Sequence, residues 1–322
     1  MLHLRLITPA DRTDDVVRLI ETTVGTTHLV VLPGAARNPA GDVVMCDVAR
    51  EAADELIGAL RAAGLDETGS IAVEDIDLTL SRRADEAEAE APGEGADAVL
   101  WEGLTEATHE ESTLSVTYVA FITLATMIAA CGVVLDNAIL IVGAMAVGPE
   151  FGPLAGICTA TVRRHPRLAL RSVIALLVGF AVAMLVTVGF TYFMDGADLF
   201  SKVQLEAERP NTNFIYRPDA FSFVVAVLAG IAGILSLTSA KSGALVGVAI
   251  SVTTVPAAAN AAVAFSYSEY RQAWGSTEQL LLNLLGIVLA GTATLVAQKH
   301  LWRQQRRQAQ GAPTAPPARR TI

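Results

Sequence analysis

Six apolar segments, at residues 114–135, 137–162, 172–194, 220–238, 242–264 and 279–298, fill most of the second half of the chain. A bilayer core about 30 Å thick is crossed by about 20 apolar residues of helix. Lipid offers no partner to a bare backbone N–H or C=O, so apolar spans of this length must be helical. The expectation is an all-α polytopic membrane domain of six spans over residues 113–298. Of the 322 residues 52 % are hydrophobic and 17 % charged, where a soluble domain carries about 25 % charge.

The charge is unevenly divided. Residues 1–112 hold 24 acidic and 8 basic side chains, and residues 113–322 hold 9 acidic and 15 basic. Such asymmetry points to two regions in different solvents. The acidic balance argues against a nucleic-acid polymer as partner, which needs a basic footprint. Cys46, Cys131 and Cys158 are too few and too scattered for a disulfide framework. The five histidines are dispersed, so no metal site and no cofactor is expected. The start, MLHLRLITPADRTDD, lacks the apolar core of a signal peptide, so no cleaved leader is expected.

Residues 1–80 alternate strand and helix patterns. LHLRLI (2–7) has the two-residue period of a half-buried strand, and Val16, Val17, Leu19, Ile20 and Val24 share one face of a helix ending at Gly25. HLVVL (28–32) and DVVMCDVA (42–49) read as strands around a PGAARNPAG loop. REAADELIGALRAAG (50–64) reads as a second helix and IAVEDIDLTL (71–80) as a last strand. The order β-α-β-β-α-β is the split, ferredoxin-like α+β plan, expected here as a cytoplasmic domain. Residues 81–97 read as an acidic linker, 98–112 as an amphipathic interfacial helix, and 299–322 as a basic, Pro-rich disordered tail.

Segments two and five are unlike the other four. The second carries Gly143, Gly148, Pro149, Gly152, Pro153 and Gly156, and the fifth carries Gly243, Gly247 and Pro256. Proline inside a helix removes a hydrogen bond and costs about 3 kcal/mol, so both helices are expected to break. A shift of 103 residues lays Ala144, Ala146, Pro153 and Ala155 over Gly247, Ala249, Pro256 and Ala258. Three spans per half would make the halves inverted repeats, and paired interrupted helices then mark a transporter site near the midplane. Close packing of small residues is the plainer reading of the same letters.

Candidate solute-binding residues follow from depth. Glu150 stands between Pro149 and Pro153, beside Gly148, near the centre of segment two, where a carboxylate is costly unless paired, protonated or wet. Thr253 and Thr254 occupy the matching depth of segment five, with Pro256 and Asn260 beyond. Their bland role is to replace backbone bonds lost beside the proline. Ser239 and Lys241 form a small polar cluster between segments four and five, equally a plain turn with an inside-positive lysine. Asn137 reads as a helix N-cap before it reads as a ligand.

The run LATMIAACGVVLDNAILIVGAMAVGPEFGPLAGI resembles the signature of a prokaryotic membrane-protein family, the domain of unknown function numbered 389. The likeness rests on Gly143-Ala144-Met145 followed by Pro149 and Pro153. GVAISVTTVPAAA, from Gly247 through Pro256, is similar to that family's second signature. The resemblance covers about residues 112–298. Many members have Pro-Leu-Met-Gly-Pro where this chain has Pro149-Glu150-Phe151-Gly152-Pro153, which makes Glu150 a subfamily feature. They often have a double proline where this chain has Pro256-Ala257. The resemblance implies architecture and no particular activity.

Nine basic residues (Arg163, Arg164, Arg167, Arg171, Lys241, Lys299, Arg303, Arg306, Arg307) would share one side of six spans. Lys202, Arg209, Arg217 and Arg271 would lie on the other. The positive-inside rule then puts both termini in the cytoplasm of a bacterial cell, with the chain in its inner membrane. The expected function is a transporter or channel for a small solute or metabolite, gated by the cytoplasmic domain. The expected partners are the lipid bilayer and further copies of the chain, as a trimer. A membrane-anchored sensor or scaffold without transport is the alternative. No nucleophile elbow, metal-ligand spacing or phosphate loop supports an enzyme.

Overall fold

The computed structural model describes residues 1–91, 93, 98–217, 219–239 and 253–311. The chain divides into two compact units, Met1–Glu102 with Gln298–Ile322, and Gly103–Ala297.

In the first unit β1 (Leu2–Thr8), α1 (Thr13–Thr22), β2 (Thr26–Arg37), β3 (Ala40–Val48), α2 (Arg50–Ala62), α3 (Leu65–Thr68) and β4 (Ser70–Asp75) follow in turn. The expected β-α-β-β-α-β order is present, with α3 as a short addition. The sheet has the order β2-β3-β1-β4 and every pair is antiparallel. Alternation along β1 buries Leu2, Leu4 and Leu6. They meet Val44 and Cys46 of β3, Val16 and Ile20 of α1, and Ala53, Leu56 and Leu60 of α2 in one core.

Two expectations about this half are corrected. The stretch expected as a PGAARNPAG loop is mostly strand: β2 runs on to Arg37 and β3 resumes at Ala40. An edge strand absorbs Pro33 because its outer N–H side needs no partner, and a register shift between Leu32 and Ala36 takes up the kink. Residues expected as linker form helix α4 (Arg82–Glu90), capped by the Ser81 side chain and burying Ala84 and Ala87. The acidic side chains stay outside while the two alanines, three apart, make an apolar seam.

Asp42 pins the kink. One carboxylate oxygen accepts the Gly34 N–H at 2.8 Å and the other accepts the Thr13 hydroxyl at 2.7 Å. The Gly34 N–H, then the Thr13 hydroxyl, hold the Asp42 carboxyl below its ordinary value, against the opposing effect of burial. A carboxyl lowered in the folded state stabilises it above the unfolded pKa, and loses that contribution as pH falls through the folded value. Wild-type protein is therefore expected to lose protection of the β2–β3 amides below about pH 4. Asp42→Asn should show weaker protection at pH 7 and a flatter acid profile, read by hydrogen exchange. Identical acid profiles would remove Asp42 from this role.

The second unit is helical. α5 (Trp101–Glu111) precedes α6 (Val116–Val134), α7 (Ala138–Val147), α8 (Phe151–Arg163) and α9 (Pro166–Gly196). α10 (Lys202–Glu206), α11 (Ala220–Thr238), α12 (Thr254–Ser266) and α13 (Tyr270–Gly311) complete the described helices. Ser115, Ser201 and Asp219 cap α6, α10 and α11 through side-chain oxygens. The tail expected to be disordered from 299 is helical as far as Gly311.

Among the described residues four helices, α6, α9, α11 and α13, are long and apolar enough to cross a membrane. The pair α7 and α8 makes a fifth candidate if the two form one crossing, bent by 51°. The expected sixth, segment 242–264, lies partly outside the described residues; its described part is the 13-residue α12. The described residues thus hold four or five apolar membrane-crossing candidates.

Candidate functional site

α7 folds back along α6 through a tight reversal. Asp136 takes a left-handed backbone (φ 48°), a conformation Asp tolerates. The Asn137 side chain accepts the N–H groups of Ile139 and Leu140, so it caps α7. Gly132 of α6 lies against Ile141, leaving no room for a Cβ. α6 has 19 residues and α7 ten; at 1.5 Å per residue they extend about 28 and 15 Å. The break at Gly148-Pro149-Glu150 therefore falls near the middle of α6.

Neither proline in this region interrupts a helix from within. Pro153 occupies the third position of α8 and Pro256 the third position of α12. A first-turn N–H has no intrahelical partner, so proline loses nothing there. α8 and α12 start side by side. Glu150, the N-cap residue of α8, accepts the hydroxyl of Thr254, the first residue of α12, at 2.7 Å through Oε1. Glu150 is 5 % exposed and Thr254 fully buried. Glu150 Oε2 has no hydrogen-bond partner among the described residues. It lies against Gly148, where a Cβ would strike it and Val255.

Thr253, the N-cap residue of α12, accepts Asn283 Nδ2 at 3.0 Å, and Asn283 accepts Gln279 Nε2 at 3.3 Å. Two cavities flank this cluster. The first, of about 400 Å³, is lined by Ala138, Met145, Asn211, Asp219, Thr253 and Asn283 among others. The second, of about 390 Å³, is lined by residues including Glu110, Glu111, Tyr118, Gly148, Pro149 and Gly152. The first touches the start of α7, beside the C-terminal end of α6, and the second touches the N-terminal turns of α6. They therefore lie toward opposite ends of α6, the first lined by Thr253 next to Thr254 and the second by Gly148 and Pro149 next to Glu150.

Of the residues singled out in the sequence, Gly148, Pro149, Glu150, Thr253 and Thr254 come together, with Pro153 and Pro256 one turn behind. Asn260 belongs to a different cluster, accepting Arg209 Nη1 at 3.1 Å and donating to Ser276 at 2.6 Å. Asn137 is a helix cap, and Ser239 is the C-cap residue of α11. Lys241 lies outside the described residues.

Sequence reasoning missed Tyr118, Arg209, Gln279 and Asn283. Gln279 and Asn283, four apart and therefore on one face of a long apolar helix, were a usable signal. Tyr118 and Arg209 carried none.

The chain thus joins a small antiparallel α+β unit to an apolar helical unit whose buried centre is a polar helix break. Residues 145–289 match the family model described as Domain of unknown function (DUF389), so the resemblance read from the sequence is shown over that stretch. The matched stretch holds the break, both half-helix prolines and the start of α13. A relative, "Uncharacterized protein MJ0678" of Methanocaldococcus jannaschii, is 24 % identical over 171 residues, 52 % of this chain and 49 % of its own length. The match thus spans about half of that relative. No solved structure matches.

Proposed function

We propose that this chain is a small-solute transporter or channel of the bacterial cytoplasmic membrane, with both termini cytoplasmic and the sheet unit acting as a ligand sensor or gate. The observation that carries this reading is the Glu150–Thr254 pair, buried where α8 and α12 begin, with the neighbour of each residue lining a different cavity. Interrupted helices that meet at mid-membrane depth hold solute in transporters of the inverted-repeat kind.

Helix lengths support a repeat. α6 and α11 have 19 residues each and start at 116 and 220. α8 and α12 have 13 each and start at 151 and 254. α9 and α13 start at 166 and 270. Offsets of 103 or 104 residues recur, and both half-helices carry proline at the same position. Two copies of span, broken span and span make six crossings, the second copy inverted. That topology also leaves Arg163, Arg164, Arg167 and Arg171, around the α8–α9 junction, on the side of both termini.

The test is retention of trapped solutes. Vesicles of phosphatidylethanolamine and phosphatidylglycerol are loaded with a panel of small anions, cations, sugars and amino acids. Retained solute is read by mass spectrometry with and without full-length protein. At least one class should escape faster with wild-type protein, and Thr254→Val should slow that escape about tenfold, the worth of one buried hydrogen bond to a charged group. Equal retention of the whole panel, with no movement of protons either, would defeat transport and leave a membrane-anchored sensor.

A further inference from the structure

Resting on the transport reading, we infer that the species Glu150 carries is a proton, taken up from one cavity and released to the other. The two oxygens of the carboxylate face different ways. Oε1 is held by Thr254, whose neighbour Thr253 lines the first cavity. Oε2 lies against Gly148, which lines the second cavity together with Pro149. Tyr118, 5 % exposed, lines the same cavity, and its buried hydroxyl has no hydrogen-bond partner among the described residues.

The linings select charge. Asp219 is the ionisable residue on the first cavity, and Glu110, Glu111 and Tyr118 are those on the second. No Lys, Arg or His lines either one among the described residues. Acidic walls in a low-dielectric cleft concentrate cations and repel anions.

Size then selects the proton among cations. Ca²⁺ and Mg²⁺ take six or more oxygens, whereas Glu150 has one hydroxyl partner and the backbone of Gly148 stands beside Oε2. Among the described residues no group of three His, Cys, Asp or Glu is placed to hold a metal. A proton needs only the free lone pair of Oε2.

Other titratable groups reach Glu150 from two elements. Tyr118 of α6 lines the second cavity with Gly148, and the Glu111 carboxylate of α5 lies against Gly152. α12 and α13 present neutral Thr253, Thr254 and Asn283. The N-termini of α8 and α12 both point their unpaired N–H groups at this position. In the step itself, hydronium in the second cavity gives H⁺ to Oε2, forming an O–H bond and leaving water. Rotation of the protonated carboxyl group turns that O–H toward Thr253, where the bond breaks toward water in the first cavity, and one positive charge has crossed.

Full-length protein is reconstituted in phosphatidylethanolamine–phosphatidylglycerol vesicles holding the pH dye pyranine. A potassium gradient with valinomycin makes the lumen negative, and acidification is followed with and without the solute panel outside. Wild-type vesicles should acidify, and Glu150→Gln should slow uptake about a hundredfold, the typical weight of a proton-transferring side chain. Glu111→Gln should slow it less.

Undiminished uptake in a folded Glu150→Gln protein overturns the inference. If that variant loses the monodisperse profile of wild type, Glu150→Asp decides. Uptake with a displaced pH dependence supports the inference, and uptake with an unchanged pH dependence overturns it. Glu150-dependent escape of another solute without any proton uptake overturns the proton and leaves transport standing. No uptake and no escape of any solute removes both.

Discussion

In the full-length protein, Leu4→Ala is expected to make the β1 amides exchange with solvent about a hundredfold faster. Leu4 is fully buried on the central strand, paired to Cys46 of β3 on one side and Val73 of β4 on the other. Its side chain sits in the core shared with α1 and α2. Truncation removes buried methyl groups and leaves a cavity that a close-packed core fills only in part, a loss of about 3 kcal/mol. The central strand cannot relax without moving both neighbours, so the protection of β3 and β4 should fall with it. Arg5→Ala is the control, since Arg5 is exposed on the opposite face, and should shift exchange by less than about 0.5 kcal/mol. Loss of protection confined to residues next to position 4 would show that the sheet does not open as one unit.

The β1 alternation was readable because burying one face of a sheet fixes the two-residue period. The break in segment two was readable for a related reason. An apolar run of helix length that contains Pro149, Pro153 and several glycines contradicts itself, and the chain resolves the conflict by starting a new helix. The sense of the prolines was not readable in the same way. A first-turn proline and a mid-helix proline look alike until the N-cap is known, and Glu150 is an unusual N-cap residue with no side-chain capping bond.

Helix α4 was hidden by composition. Its acidic residues read as unfoldable, and only the spacing of Ala84 and Ala87 points to a buried seam. The extension of β2 through Pro33 and Gly34 was hidden because Pro-Gly marks a loop everywhere except at a kinked edge strand. In the site, Glu150 stood out as a carboxylate in an apolar run, and Thr254 by its match to the same depth. The Asn283–Gln279 pair was legible by spacing but lay in a segment whose mean apolar character masked it.

Arg209 shows what no local pattern could supply. It stands in the connection between α10 and α11, one residue before Pro210, and reads as a solvent-facing loop cation. In the structure it is 4 % exposed, with its guanidinium donating to the Val133 carbonyl at 3.4 Å, to Asn260 Oδ1 at 3.1 Å and to Gln272 Oε1 at 2.9 Å. The Tyr216 ring lies 5.2 Å from it. It thereby ties the end of α6, the middle of α12 and the start of α13 to one loop. Asp136 reinforces the tie by accepting the Asn211 N–H and the Thr212 hydroxyl.

Arg209→Ala takes the donor from three acceptors at once, two of them side-chain amides held inside the helical unit. Each acceptor left dry costs about 1–3 kcal/mol, offset where water enters the vacated space, so a net loss of about 3 kcal/mol is expected. Arg209→Lys should recover only part of this, because one ammonium cannot reproduce a planar fork that reaches several acceptors. The measurement is equilibrium unfolding of the full chain in mixed micelles, in a cycle with Asn260→Ala. Coupling above about 0.5 kcal/mol between positions 209 and 260 is the expected sign of direct contact. Additive effects would mean that the loop is held by Asp136 and that Arg209 is merely enclosed.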